Sequence, residues 1–307
     1  MLGRIVEVAD DNRYLSLHRG FMVVLATDGE REQLGKVPLD DIAAVIGNAY
    51  GLSYSNNLLV ALAERGAPFV LCAANHNAVG MLLPIDGNYH QAKRFDAQLG
   101  AKRPLQKRLW AQLVRSKLLA QASVLETFDS PSAALTRLAS KVRSGDAENL
   151  EAQGARYYWP LLFGAAFKRD QGAAGLNSLL NYGYTVFRAA MARAVVSAGL
   201  HPTLGLHHSN EGNPMRLVDD LIEPFRPRVD LCVRRLLDSG CDEVVPESKR
   251  ALVQALYEDV ATVTGVSPVT VCMQRLAQSL VQIYLGERAE LELPSMQSVA
   301  ERSAAAG

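Results

Sequence analysis

Apolar and polar residues alternate through the first 85 residues in a pattern that predicts short β-strands. Turn-forming residues such as Asp10 and Asn12 separate the apolar runs. A single helix is predicted between strands, with Ser53 or Ser55 as its N-cap and Gly66 at its end. The predicted strands span residues 4–9, 14–18, 21–27, 32–38, 42–46, 68–72 and 79–83. We therefore predict a small β-rich N-terminal domain with one helix over residues 1–85.

Beyond about residue 90 the apolar positions recur every three or four residues, which indicates helices. A linker is predicted at residues 84–89, around Gly87. A helix is expected to open at Ser130 and Pro131, and Asp146 is expected to cap the next one. Further helices are predicted at residues 177–197, 246–263 and 268–284, with a short C-terminal helix and a frayed tail. The expected fold class is α+β, with a larger all-α catalytic domain over residues 90–307.

Composition limits the possible classes of protein. Of the 307 residues, 49% are hydrophobic and 21% are charged, which is typical of a globular chain with a large core. The formal net charge is zero, so total charge gives no case for nucleic acid. The four cysteines form no CxxC pair and are expected to be free thiols in a reducing compartment. Because neither a signal peptide nor a membrane-length apolar run is found, a cytoplasmic location is expected.

Charge is nevertheless unevenly distributed. No acid lies between Asp96 and Glu126, whereas several lysines and arginines do. Such a stripe suits a DNA phosphate backbone, although a solvated amphipathic helix has the same pattern. The candidate DNA contacts in this stripe are Arg103, Lys107, Arg108 and Arg115.

An acidic segment follows a histidine-containing loop near residue 210. His207 and His208 end the loop, and on a helix Asp219, Asp220 and Glu223 would share one face. Carboxylates this close repel one another unless a cation or a proton neutralises them, and nearby arginines could do so. Upstream, Glu151 lies on a helix of small and aromatic residues, where an inward-facing acid is expected.

Three segments in this order resemble a known family: EAQGARYYW from Glu151, LNYGY from Leu180, and residues 206–227. The chain is similar to the CRISPR-associated protein 1 family, the integrase of spacer acquisition, and particularly to its type II branch. The resemblance implies that Glu151, His208 and Glu223 are the catalytic metal ligands. It matches Asp220 to an accompanying acid, and it gives Asn181, Tyr182 and Tyr184 a supporting role.

The resemblance also implies a reaction and its partners. A metal-dependent endonuclease and integrase would insert captured DNA fragments at the repeat of a CRISPR array, with 3′-hydroxyl groups as nucleophiles. Two carboxylates and one imidazole suit Mg²⁺ or Mn²⁺. The implied partners are double-stranded DNA, a second copy of the chain bound through the N-terminal domain, a dimer of CRISPR-associated protein 2, and the type II effector nuclease.

Two alternatives remain open from the residues. A zinc-dependent hydrolase could use His201, His207, His208 and Asp219, although the HExxH spacing is absent. A non-catalytic DNA-binding assembly module with a degenerate site is the other, and the presence of both glutamates and the histidine disfavours it.

Overall fold

The computed structural model describes residues 3–28, 31–73, 78–85, 87–262 and 265–294. The chain divides into two compact units, Met1–Tyr89 and His90–Gly307. The first is rich in strands and the second is mainly helical, so the predicted α+β class is confirmed. Within the described residues, none of the helices is both long and apolar enough to cross a bilayer.

The N-terminal unit contains two four-stranded sheets and one α-helix among its described residues. Its elements in chain order are β1 (Arg4–Val8), β2 (Arg13–His18), β3 (Phe21–Ala26), β4 (Gln33–Pro38), β5 (Ile42–Gly47), β6 (Ser53–Tyr54), α1 (Asn56–Glu64), β7 (Phe69–Cys72) and β8 (Ala78–Leu82). The alternation in the sequence corresponds to these strands to within one or two residues at each end. The two-residue strand β6 is the exception, because it is too short to leave a pattern.

Strand order is β1-β5-β7-β8 in one sheet and β4-β3-β2-β6 in the other. The first sheet pairs β1 with β5 and β5 with β7 in parallel, and β8 closes it antiparallel. Ser55 caps α1, because its hydroxyl accepts the amide hydrogen of Leu58. Leu58 and Leu62 of that helix are buried with Leu15, Met22 and other residues of the core between the elements.

The C-terminal unit is built around one long helix. Its elements are α2 (Gln91–Leu99), α3 (Arg103–Thr127), α4 (Ala133–Lys141), α5 (Leu150–Phe163), α6 (Leu176–Ser197), α7 (Arg216–Ile222), α8 (Arg226–Asp238), α9 (Pro246–Gln254), β9 (Asp259–Thr262), β10 (Gly265–Pro268) and α10 (Val269–Tyr284). Helix α3 packs against α4, α5 and α8. Its apolar side chains, such as Leu109, Leu113 and Leu118, are fully buried.

The C-terminal unit departs from the all-α prediction at one place. The helix predicted over residues 246–263 ends at Gln254, and β9 and β10 form an antiparallel hairpin beyond it. Leu252, Leu256 and Val260 have helical spacing, which explains the prediction, but β-branched residues are concentrated from Val260 onward and favour strands. Val263, at the predicted helix end, lies outside the described residues.

Two further helix predictions differ from the structure. The helix expected to open at Pro131 begins at Ala133, and the Ser132 hydroxyl donates to Glu126 Oε1 instead of capping it. Residues 285–294 contain no further helix, so the predicted C-terminal helix is not found there. The tail, residues 295–307, and Asp86 of the predicted linker lie outside the described residues.

Candidate metal and nucleic-acid site

Glu151 is placed by the start of helix α5. The carboxylate of Asp146 accepts hydrogen bonds from the main-chain amides of Leu150 at 2.9 Å and Glu151 at 3.0 Å, which satisfies two otherwise unpaired amides of the first turn. The side chain of Asp146 therefore caps the helix as predicted, although the N-cap position itself is held by Asn149. Because this cap fixes the first turn, Glu151 leaves α5 in a defined direction.

A glycine one turn later lets α5 lie close to α3. A Cβ atom at Gly154 would lie 2.2 Å from Leu118 Cδ2, so a side chain there would require Leu118 to change its rotamer or the two helices to move apart. This approach brings Glu151 within reach of Lys117, the residue before Leu118.

The two predicted acidic ligands meet at that lysine. Lys117 Nζ lies 2.6 Å from Glu151 Oε1 and 2.5 Å from Glu223 Oε2. Arg226 Nε lies 2.8 Å from the other oxygen of Glu223. Burial alone would raise the pKa of Glu223, but Arg226 and Lys117 lower it to about 2. Lys117 lies in the acid-free stretch between Asp96 and Glu126, and its place in the sequence gives no sign of a contact with the acids. Only the packing of α3 against α5 and the turn at Glu223 show this contact.

Asp220 organises the loop before α7. Its carboxylate is fully buried and accepts hydrogen bonds from the main-chain amides of Leu206, His207 and His208 at 2.6, 3.1 and 3.2 Å. Gly205 makes this possible, because a Cβ atom there would lie 2.8 Å from Asp220 Oδ2. The loop is thus wrapped around one carboxylate.

The same carboxylate orients His208. Asp220 Oδ1 lies 2.6 Å from His208 Nδ1, and this hydrogen bond raises the pKa of the imidazole. A carboxylate on one ring nitrogen is the usual partner of a metal-binding histidine, because it leaves the other nitrogen to face a cation. Asp220 therefore positions the predicted ligand, a role that spacing alone did not reveal.

The neighbouring histidine has a different environment. His207 stacks on the buried ring of Trp110, with ring centroids 4.3 Å apart and planes 2° from parallel. Burial lowers the pKa of His207, which favours its neutral form. Its ring packs on α3, whereas that of His208 is held by Asp220.

The remaining acids of the segment have partners of their own. Arg188 binds Asp219 through two nitrogens at 2.7 and 2.8 Å, and Asn213 Nδ2 donates to Asp219 at 2.7 Å. Asp219, Asp220 and Glu223 therefore contact three different groups instead of forming one acidic face. His201 is also engaged elsewhere, since its Nδ1 accepts the amide hydrogen of Thr203.

The segments expected to support the site are buried in polar contacts. Tyr184 and Tyr158 both donate hydrogen bonds to the buried carboxylate of Asp230, the second at 3.1 Å. Burial raises the pKa of Asp230 to about 7 despite these two donors. Asn181 accepts a hydrogen bond from Arg169 at 2.6 Å. These contacts join helices α5, α6 and α8.

Tyr182, the third residue of that supporting set, is fully buried, and the ammonium group of Lys249 lies 5.6 Å from its ring centroid. Its side chain is therefore part of the packed interior on the α9 side.

Three features of this geometry concern the binding of a divalent cation. Among the described residues, no three His, Cys, Asp or Glu side chains are already grouped as a metal site. The donor chemistry nevertheless fits, because two carboxylates lie on one ammonium group, and the charges of His208 and Glu223 influence each other. Glu223 Oε2 is buried and receives no hydrogen bond of good geometry, although Lys117 Nζ is near. That oxygen lies against one cation, the ammonium group of Lys117, and could contact a metal ion in its place.

The four basic candidates for DNA contact lie along the first half of α3 and are exposed. Arg103 donates to Leu206 O at 3.2 Å, and Arg115 donates to Val142 O at 3.1 Å. Arg108 makes a longer bond to Ala289 O, while the aliphatic stem of Lys107 lies against Gly145. Each arginine therefore steadies a neighbouring loop and still has further N–H donors. The opposite face of α3 is buried, as both interpretations of the stripe require.

Comparison with known proteins identifies the class. The profile of the family described as CRISPR associated protein Cas1 matches residues 6–243. The chain is 41% identical over 251 residues to the CRISPR-associated endonuclease Cas1 of Neisseria meningitidis serogroup C (strain 8013), which covers 80% of this chain and 81% of the relative. This protein therefore belongs to the Cas1 family, and the predicted membership is confirmed.

Solved structures agree on the fold. A casposase bound to its integration product superposes with a TM-score of 0.80 at 19% identity, covering 96% of this chain and 94% of that chain. A chain of a Cas6-RT-Cas1–Cas2 complex gives a TM-score of 0.76 at 17% identity, covering 96% of this chain and 36% of that longer chain.

Proposed function

We propose that this protein is a metal-dependent DNA endonuclease and integrase of the type II branch, which inserts captured DNA fragments at the repeat of a CRISPR array. One observation carries the proposal: Glu151 and Glu223, from two separate elements, converge on a single ammonium group in a member of the Cas1 family. The named endonuclease activity of the Neisseria relative and the integration product bound by the casposase support it.

The residues divide the chemistry between them. Glu151, Glu223 and His208 would hold Mg²⁺ or Mn²⁺. When bound, such a cation polarises the phosphodiester and lowers the pKa of an attacking 3′-hydroxyl. Asp220 keeps the His208 ring in one orientation, and Arg226 keeps the Glu223 carboxylate ionised. Because these groups are fixed before DNA arrives, little reorganisation is needed at the reacting phosphate.

Basic residues outside this centre would position the DNA. We assign Arg103, Lys107, Arg108 and Arg115 to phosphate contacts along α3. If Lys107 neutralises one phosphate, Lys107→Gln should lower the slope of log affinity against log salt by roughly one. The exposed Lys141, at the end of α4, gives a matched control whose replacement should leave the slope unchanged. An unaltered slope in glutamine variants of all four residues, each replaced in turn, would refute this assignment.

The family resemblance also suggests how this protein assembles with partners. We propose that the protein works as a homodimer joined through the N-terminal unit, and that it binds a dimer of CRISPR-associated protein 2 and the type II effector nuclease. The solved Cas6-RT-Cas1–Cas2 complex contains a chain of the same fold, which supports the second partner.

Contacts within the structure disfavour the zinc-hydrolase alternative. Of its four candidate ligands, His201 bonds to Thr203, His207 stacks on Trp110, and Asp219 is bound by Arg188. The three other candidates are therefore each held by a contact of their own, although the rings of His207 and His208 lie 6.0 Å apart.

The decisive experiment is strand transfer from a labelled short duplex into a supercoiled plasmid that carries a repeat. We expect joined products with Mg²⁺ or Mn²⁺, and their loss in Glu151→Gln. Glu148→Gln is the matched control, because Glu148 is an exposed acid just before α5 and should retain activity. Normal transfer by Glu151→Gln in Mn²⁺ would overturn the site assignment, and DNA binding without any transfer by the wild type would favour the assembly module.

A further inference from the structure

Lys117 occupies an unusual position for a basic residue on a DNA-facing helix. Its side chain is only 13% exposed, and its ammonium group lies within 2.6 Å of both acids assigned to the metal. In the described part of the chain, it is the cation that Glu151 and Glu223 share. It therefore occupies the space between the two carboxylates that would help to hold a divalent cation.

The contact with Glu223 has the character of an ion pair. Lys117 Nζ donates a hydrogen bond to Glu151 Oε1, but Glu223 Oε2 receives none of good geometry despite the 2.5 Å separation. The attraction between the two charges is strong at this distance, and another cation that reaches the same oxygen would compete with the ammonium group for it. Arg226 contacts the other oxygen of Glu223 and would remain after such a replacement.

Without a cation between them the two acids would repel. Glu223 is buried and Glu151 is mostly so, and two ionised carboxylates at such a place raise the free energy of the folded state. Lys117 removes this repulsion when no metal is present. The same ammonium must leave the carboxylates before a divalent cation can contact both of them, because the two positive charges would otherwise overlap.

We propose that Lys117 is an internal counter-cation that competes with the divalent metal for Glu151 and Glu223. The proposal rests on the metal site of the proposed function and adds a determinant of its affinity. The metal-free enzyme keeps its two acids together through Lys117, and metal binding displaces the ammonium group. Lys117 thus lowers metal affinity and raises the metal concentration at which half of the sites are occupied.

The test measures Mn²⁺ binding directly, from the electron paramagnetic resonance signal of free Mn²⁺ at pH 8. We expect Lys117→Met to bind Mn²⁺ more tightly than wild type by roughly ten- to a hundredfold, the range in which residues around metal ligands change affinity. Lys141→Met removes an equal charge from an exposed site and should bind as wild type does. Lys117→Arg keeps the charge and should show no tightening.

Thermal unfolding provides a second readout that separates competition from a merely structural role. In EDTA, Lys117→Met should melt below wild type, because its two acids have lost their shared cation. Saturating Mn²⁺ should raise its melting temperature by more than it raises that of wild type. A residue needed only for packing would lower the melting temperature by the same amount in EDTA and in saturating Mn²⁺.

The outcomes distinguish the two proposals. If Glu151→Gln, with Lys117 intact, binds Mn²⁺ as tightly as wild type, the metal site itself is wrong and the proposed function fails. If Glu151→Gln abolishes binding but folded Lys117→Met binds no more tightly than wild type, the counter-cation role alone is refuted.

Discussion

Replacing Asp220 by asparagine tests how the histidine loop is held. The carboxylate accepts four hydrogen bonds, from three main-chain amides and from the His208 ring. Leu206 and His207 bond to one oxygen, and both groups of His208 bond to the other. Asparagine offers only one acceptor oxygen, so two of the four donors would face its NH₂ group.

The expected cost follows from this count. Hydrogen bonds to a charged group contribute about 1.5–3 kcal/mol each, and a buried donor left unpaired costs about 1–3 kcal/mol. We therefore expect Asp220→Asn to lower the free energy of unfolding by about 3–5 kcal/mol. For a domain of this size that corresponds to a fall of about 6–20 °C in melting temperature.

Differential scanning calorimetry at pH 7.5 without metal measures this loss. Asp238→Asn is the control, because Asp238 forms a partly exposed pair with Arg234 on α8 and should cost no more than about 1 kcal/mol. A melting temperature of Asp220→Asn equal to that of the control would show that the loop does not depend on the buried carboxylate.

Three further predictions concern the same unit. His208→Ala should abolish strand transfer while His207→Ala keeps much of it, and the reverse order of the two mutants would contradict the assignment. Wild-type activity should also fall as pH drops below the pKa of His208, which lies above its usual 6.5. Because the pKa of Asp230 rises from 3.8 to about 7 on folding, the folded state binds its proton more tightly and stability falls as pH rises from about 4 to about 7. The free energy of unfolding of Asp230→Asn should therefore improve relative to wild type by roughly 2–4 kcal/mol across that window in urea titrations, and a constant difference would refute it. Gly154→Ala should lower the free energy of unfolding measured in urea by about 1–3 kcal/mol, since its new Cβ overlaps Leu118. An unchanged free energy would show that Leu118 and the two helices accommodate the methyl group without cost.

Local sequence patterns predicted most elements but not all of them. Alternation located the strands of the N-terminal unit, and Ser55 marked the start of α1, because both depend on neighbouring residues only. The hairpin of β9 and β10 was missed, since Leu252, Leu256 and Val260 satisfy a helical period as well. Which interpretation holds is decided by pairing between strands, which a period cannot show.

The site shows the same division. The acids and the histidine were proposed from residue types in a familiar order. The partner of each was not predictable, because it depends on how distant elements cross. By sequence, Lys117 is one more basic residue on a helix predicted to bind DNA. Only the packing of α3 against α5, at Gly154, reveals that it contacts the acids.

The wide spacing of these residues along the chain has a consequence for when the site forms. Lys117 and Glu151 come from the middle of the sequence, Glu223 comes from much later, and the Arg103 contact to Leu206 joins residues 103 apart. Closing such long loops is slow, and during synthesis the earlier helices leave the ribosome well before the later ones. A nascent or truncated chain that stops before α7 therefore has helix α3 with its basic residues but lacks Asp220 and Glu223. With the phosphate contacts proposed for α3, a chain interrupted at that stage would hold DNA without being able to cut or join it.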